Sequence, residues 1–137
     1  MKVKLRDIVE AMEMANESAR SFLDLQTGEI ETLFDDLVDD EEQEEISERL
    51  DEHGFVRLPE QYDIHEYHIM EEFIEQLQNT MIQERLSDAI NGRGAFQRFK
   101  RGIRQYGVEQ DWYDFREAAF LKIAREWCEE NELEYEK

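Results

Sequence analysis

At 137 residues the chain has room for one domain with a real hydrophobic core and too little for several. Forty per cent hydrophobic residues, with two Trp, five Tyr and eight Phe, argue against a disordered chain. Thirty-six acids against sixteen Lys and Arg give a formal net charge of -20, a surface that repels nucleic acid and anionic membrane at long range.

Leu5, Ile8, Val9 and Met12 recur at helical spacing and predict a short first helix with one apolar stripe. The N-terminal stretch has neither a long apolar core nor a small-residue cleavage site, so no secretory signal is expected. No run approaches the ~20 apolar residues of a membrane span. Cys128 is the one cysteine, which excludes an intrachain disulfide. A soluble cytoplasmic protein is the simplest expectation.

Residues 21–25 and 30–34 are rich in strand formers, and Gly28 lies between them where a positive φ is wanted. That pattern predicts a hairpin. Asp24 alternates with Leu23 and Leu25, which predicts one apolar strand face. From Asp35 to Glu52 the chain is acidic, and only Leu37, Val38, Ile46 and Leu50 could reach a core. A linker and then a solvated helix from about Glu41 to Glu52 are expected, stopped by Gly54. Phe55 to Leu58, ended by Pro59, reads as a third strand beside the hairpin.

From Asp63 onward the pattern is helical. Asp63 with Glu66 three residues on has the form of a capping box. Tyr67, Met70, Phe73, Ile74 and Leu77 make the following stripe, and Gln78-Asn79-Thr80 reads as a break. Ile82, Leu86, Ala89 and Ile90 make the next, ending at Asn91-Gly92. Further helices are predicted up to Gly107 and from about Gln110 to Glu130. The expected architecture is a single α+β domain over residues 1–137. A small antiparallel sheet of two or three strands occupies residues 1–60, and residues 61–137 form a predominantly helical part.

One segment departs from the acidic background. Residues 92–108 contain no acid and five bases, Arg93, Arg98, Lys100, Arg101 and Arg104. On a helix, Phe96, Phe99, Ile103 and Tyr106 fall within about 80° of arc, with Lys100, Arg104, Arg101 and Arg98 across from them. The expectation is a helix that buries its aromatics and presents its bases. Gly92, Arg93 and Gly94 stand at its start, where backbone N–H groups and the helix dipole favour an anion. The segment is no Walker loop and lacks the GxGxxG spacing. Two readings stay open: an anion- or partner-binding face made by Arg93, Gly94, Arg98, Lys100, Arg101 and Arg104, or a solvated face that pairs with the chain's own acids. The surplus of acids favours the second.

Other residues carry weaker signals. Trp112, Phe115, Ala119, Phe120, Ile123, Ala124 and Trp127 cover more than half the circumference of the last helix, which is expected to be the most buried. Arg116 falls inside that arc, as a buried polar group needing a carboxylate or carbonyl partner. A structural ion pair is favoured there over a cationic group in a pocket. His65 and His68, three apart, are weak metal candidates, because HEYH is not HExxH and no cysteine pair completes a four-ligand set. No metal or other cofactor is expected. Cys128 reads as a small hydrophobe. No catalytic residue is assigned, since neither a nucleophile elbow nor a triad pattern is present.

The hairpin DLQTGEI, the strand FVRLP, the helix MEEFIEQL, AINGRGAFQRFK and the ending DWYDFREAAFLKIAREWCEENEL together resemble a bacterial family of uncharacterised proteins. That family is marked by a Thr-Gly-Glu hairpin, a Gly-Arg-Gly-Ala-Phe-x-Arg-Phe-Lys segment and a Trp-Tyr C-terminal helix. The resemblance covers almost the whole chain, with Gln97 where a base is expected. It implies a bacterial cytoplasmic protein and no activity.

Three functions remain in competition. The first is a binding or regulatory module that uses the basic helix 92–107 to contact an anionic group on a partner, most simply another protein. The second is an acidic mimic of nucleic acid, with residues 35–52 occupying a basic partner. The third is an enzyme of unassigned class, which is the least supported. Direct nucleic-acid or membrane binding is not expected, and the aromatic content fits a monomer or a homodimer.

Overall fold

In the computed structural model, which describes residues 2–16, 18–37 and 40–136, strand formers and turn chemistry meet first in the hairpin. Strand β1 is Lys2–Lys4 and helix α1 is Leu5–Met14, with Leu5, Ile8, Val9 and Met12 buried as their spacing predicts. Strands β2 (Ala19–Asp24) and β3 (Ile30–Phe34) pair antiparallel, Ser21 opposite Thr32 and Leu23 opposite Ile30. A 3-10 turn (Asp35–Leu37) leads towards helix α2 (Glu41–His53), whose N-cap Asp40 accepts from the amides of Glu42 and Gln43. Val38 and Asp39 lie outside the described residues, as does the side chain of Leu37.

Gly54 ends α2 at φ +81°. Strand β4 (Phe55–Arg57) then pairs antiparallel with β2, giving a three-stranded sheet in the order β3-β2-β4. The fold is α+β, with this sheet in the N-terminal half as expected. Helices α3 (Gln61–Ile64), α4 (Glu66–Glu75), α5 (Thr80–Ala89), α6 (Ala95–Gln105) and α7 (Glu109–Glu130) follow. Strand β5 (Glu134–Glu136) closes the order and pairs parallel with β1, Val3 opposite Tyr135. This parallel pair is not anticipated from sequence. KVK and EYE are each one alternation long, too short to show a period.

The chain divides into two compact units: Met1–Ile64 with Phe120–Lys137, and His65–Ala119. In the first unit the core holds Val3, Leu5, Ile8, Leu23, Leu50 and Phe120. There the Trp127 indole N–H donates to the Arg57 carbonyl at 2.9 Å.

Asp24 corrects the expected strand face. It is only 1% exposed, whereas Leu25 is 37% exposed. The reason is hydrogen bonding. Asp24 Oδ1 accepts from the amides of Gln26 and Thr27 at 2.8 and 3.0 Å, shaping the turn before Gly28. Its Oδ2 lies 2.8 Å from Nδ1 of His53, the last residue of α2. A carboxylate satisfied on both oxygens can be buried, and leucine in a turn need not be. Burial alone pushes the Asp24 carboxyl up. The His53 bond and the two amides outweigh that and hold it below the usual value.

The second unit is helical. Its centre is an aromatic cluster in which Phe73 lies edge-on to Phe99, Trp112 and Phe115, with centroids 6.2, 5.4 and 5.5 Å away. Phe99 and Trp112 close it at 4.8 Å. Met70, Phe73 and Ile74 are buried as expected, joined by Ile69, while Tyr67 is partly exposed and its hydroxyl donates to the Ile90 carbonyl at 2.8 Å. The break at 78–80 is present, and Asn79 caps α5 by accepting from the Ile82 amide. The capping box at Asp63 is not formed. Asp63 accepts instead from the Glu60 amide, and α4 starts at His65 in the left-handed region, φ 53°, with no side-chain cap bond. Glu66 is drawn away by Arg116. Leu86 and Ile90 are buried, and Gly102 lets α6 approach Leu86 so closely that a Cβ there would lie 2.6 Å from its Cδ2.

Candidate basic face on α6

Helix α6 starts at Gly94, which takes φ +75°, a left-handed value that favours glycine. Ala95, Phe99, Gly102 and Ile103 are buried. The packed stripe is thus set by two small residues with Phe99 and Ile103, and it is rotated from the aromatic arc expected. Phe96 consequently lies at its edge and is 46% exposed, which corrects the expectation that it is buried. Ala95 and Gly102 are the signal that could have shown this: small residues seven apart, two helical turns on, mark a packed stripe as well as large ones do.

The bases fall into three groups. Arg98 does not join the solvent face. Its Nε donates to the Ala89 carbonyl at 2.7 Å and its Nη2 to the Asn91 carbonyl at 2.6 Å, with Nη1 on the Arg93 carbonyl. It therefore closes the last turn of α5 and holds the loop 91–94 around a cation. Arg104 is neutralised by Glu109, Nε to Oε2 at 2.8 Å, and that carboxylate, with Tyr113 beside it, raises the guanidinium further above its ordinary value. Arg93, Lys100 and Arg101 are exposed, and among the described residues none of the three takes part in an ion pair. Phe96, Lys100, Arg104 and Arg101 span about 140° of helix arc. The outer face of α6 is therefore basic and aromatic together.

Arg116 is largely buried, 22% exposed at its side chain, and its Nε lies 2.6 Å from Glu66 Oε1. His68 is exposed and its Nε2 lies 2.8 Å from Glu72 Oε1, one helical turn on. His65 occupies the N-cap of α4. Among the described residues no group of three or more His, Cys, Asp and Glu is placed to hold a metal ion. Cys128 is fully buried, and burial, with Glu129 nearby, pushes its thiol up to about 11. Among the described residues no helix is long and apolar enough to cross a membrane.

Charge is divided unevenly between the units. Residues 65–119 hold seven bases and ten acids, net -3, so the remaining -17 of the -20 belongs to the first unit. The basic face thus belongs to the near-neutral unit. The second unit also carries a groove of about 470 Å³ lined by Phe73, Leu77 and Phe115 together with Gln76, Gln78, Asp111 and Asp114.

The model of an uncharacterised protein family, UPF0158, matches residues 1–136. No curated protein and no solved structure gives a match.

Proposed function

Given that the chain belongs to the uncharacterised family UPF0158, we propose that it is a binding module whose α6 outer face docks an acidic segment of a partner protein. One observation carries the reading. Arg93, Lys100 and Arg101 are exposed without an acidic partner among the described residues, in a chain of net charge -20. Thirty-six acids give every opportunity for neutralisation at home, and Arg104 shows that it happens where an acid is in reach. Three unpaired cations beside a half-exposed Phe96 supply charge and an apolar anchor on one helix face.

An acidic protein segment fits this face better than nucleic acid. Three bases meet few phosphates, while the net -20 of the chain acts against a long polyanion. A short acidic peptide touches the face and little else. Arg98 has no part in the contact, because three carbonyls already hold it.

The test uses a fluorescein-labelled peptide of six Glu and one Phe, followed by anisotropy at about 50 mM salt. Binding with a dissociation constant on the order of 100 µM is expected, about 5.5 kcal/mol. Lys100→Glu with Arg101→Glu removes two favourable charges and adds two unfavourable ones, and should weaken binding at least about tenfold. If the double variant binds as the wild type does, the proposal is wrong. A Lys-rich peptide that binds instead, and is released by Glu→Gln changes at Glu41, Glu42, Glu44 and Glu45 on α2, would establish the acidic-mimic reading in its place.

A further inference from the structure

The second unit offers both halves of a contact. Its α6 face presents Phe96 with Lys100 and Arg101, an exposed aromatic beside two cations that form no ion pair among the described residues. Its groove presents the inverse. Leu77 and Phe115 line it half-buried over the buried Phe73, and Gln76, Gln78 and the exposed Asp111 and Asp114 complete the lining. Each element lacks what the other has. An apolar ring needs a floor, and two cations need two carboxylates.

We propose that the occupant of the α6 face is the Phe73–Leu77–Phe115 groove of a second copy of this chain, so that the protein self-associates through its second unit. Phe96 of one copy enters the groove, and Lys100 and Arg101 meet Asp111 and Asp114. The proposal rests on the α6 face being a docking surface for acidic groups, and it adds the identity of the partner.

The distribution of charge supports this choice. Two chains of -20 repel, but the second unit contributes only -3 to that figure. At physiological salt, charges more than about 8 Å apart are largely screened, while those at contact are screened less. The association is therefore salt-dependent in two senses. Raising ionic strength from very low values first relieves the long-range repulsion and strengthens it. Further salt then weakens the Lys and Arg to Asp pairs.

The patches are modest. One face of an eleven-residue helix against one groove falls short of the ~800 Å² per partner of a standard interface. A weak complex follows, with a dissociation constant on the order of 10–100 µM. If the two contacts of a pair are reciprocal the assembly closes at two copies, and otherwise it extends as a chain of copies.

The experiment is sedimentation equilibrium on the full chain between about 5 and 500 µM, at 0.15 M salt. The wild type should rise above monomer mass across that range. Lys100→Asp with Arg101→Asp should abolish the rise, and so should Asp111→Lys with Asp114→Lys. A mixture of the two double variants should restore association, because both face-to-groove contacts between unlike copies then join opposite charges. Phe96→Ser should weaken association at least tenfold with the far-UV spectrum unchanged. A wild type that stays monomeric to 500 µM overturns the inference, as does a mixture of the swaps that stays monomeric. Acidic-peptide binding at α6 in a protein that never self-associates sinks this inference and leaves the binding-module reading standing. Loss of both sinks both.

Discussion

Replacing Asp24 by Ala breaks three hydrogen bonds in one step: to the amides of Gln26 and Thr27 at 2.8 and 3.0 Å, and to His53 at 2.8 Å. Gln26 and Thr27 are exposed, so their amides regain water, and the loss there is about 0.5–1 kcal/mol each. His53 is mostly enclosed, and losing a charged acceptor there costs about 1.5–3 kcal/mol. Removing the carboxylate also removes the cost of burying it, which lowers the net destabilisation to about 2–3 kcal/mol. For a chain of this size that is a fall of about 6–12 °C in Tm. Urea unfolding followed by far-UV circular dichroism measures it directly. Asp24→Asn keeps an acceptor for the turn and should lose about half as much. The pH dependence has a definite sign. The native carboxyl lies below its usual value, so its contribution is complete above the unfolded value of about 4 and is lost as pH falls through the lower native one. The gap between wild type and Asp24→Asn should therefore close in strong acid. A gap constant from pH 7 to pH 2, or a loss under about 1 kcal/mol for Asp24→Ala, refutes the reasoning.

Arg98→Lys should destabilise the protein by about 1–3 kcal/mol, because one ammonium cannot reach the carbonyls of Ala89, Asn91 and Arg93 together; hydrogen exchange at residues 89–94 should rise in step, and unchanged exchange would contradict the role. Gly102→Ala gains about 1 kcal/mol in helix propensity but places a Cβ 2.6 Å from Leu86, so chemical denaturation should show a net loss of about 1–2 kcal/mol. Cys128 should resist a thiol reagent at pH 8 in the folded protein and react fully in urea. Its folded thiol is raised to about 11, so the protein should lose stability as pH rises from the unfolded value of about 8.5 towards that figure, and Cys128→Ala should remove that dependence.

The sequence carries most of the element order. The stripe Leu5, Ile8, Val9 and Met12, the turn at Gly28, the stop at Gly54 and the break before Thr80 each have a local cause, and local causes can be read from one chain. What local pattern could not show depends on partners distant in sequence. Asp24 is buried because His53, 29 residues away, meets it. Glu66 leaves its capping role for Arg116, 50 residues on. Lys2–Lys4 becomes a strand only where Glu134–Glu136 lies alongside. The same limit applied to the basic segment. Composition locates its five bases, but only geometry separates Arg98 on its carbonyls and Arg104 on Glu109 from three exposed cations without an ion pair among the described residues. Phe96 is exposed because the buried Ala95 and the close approach at Gly102, not hydrophobic size, set the packed stripe of α6.

The first unit is assembled from two separated stretches of chain, with the 55 residues His65–Ala119 between them. During synthesis this imposes an order of events. The hairpin and α1 emerge early but lack Phe120, Ala124 and β5. At about 5–20 residues per second, the intervening stretch takes about 3–11 s to be made. The second unit, whose aromatic cluster needs nothing beyond Ala119, is then complete before the first can close. While the last 18 residues are then made, over about 1–4 s, the nascent chain carries a finished helical unit and a strand β1 still without β5. The dense negative charge of the first stretch acts against contact between neighbouring nascent copies while β1 waits for β5.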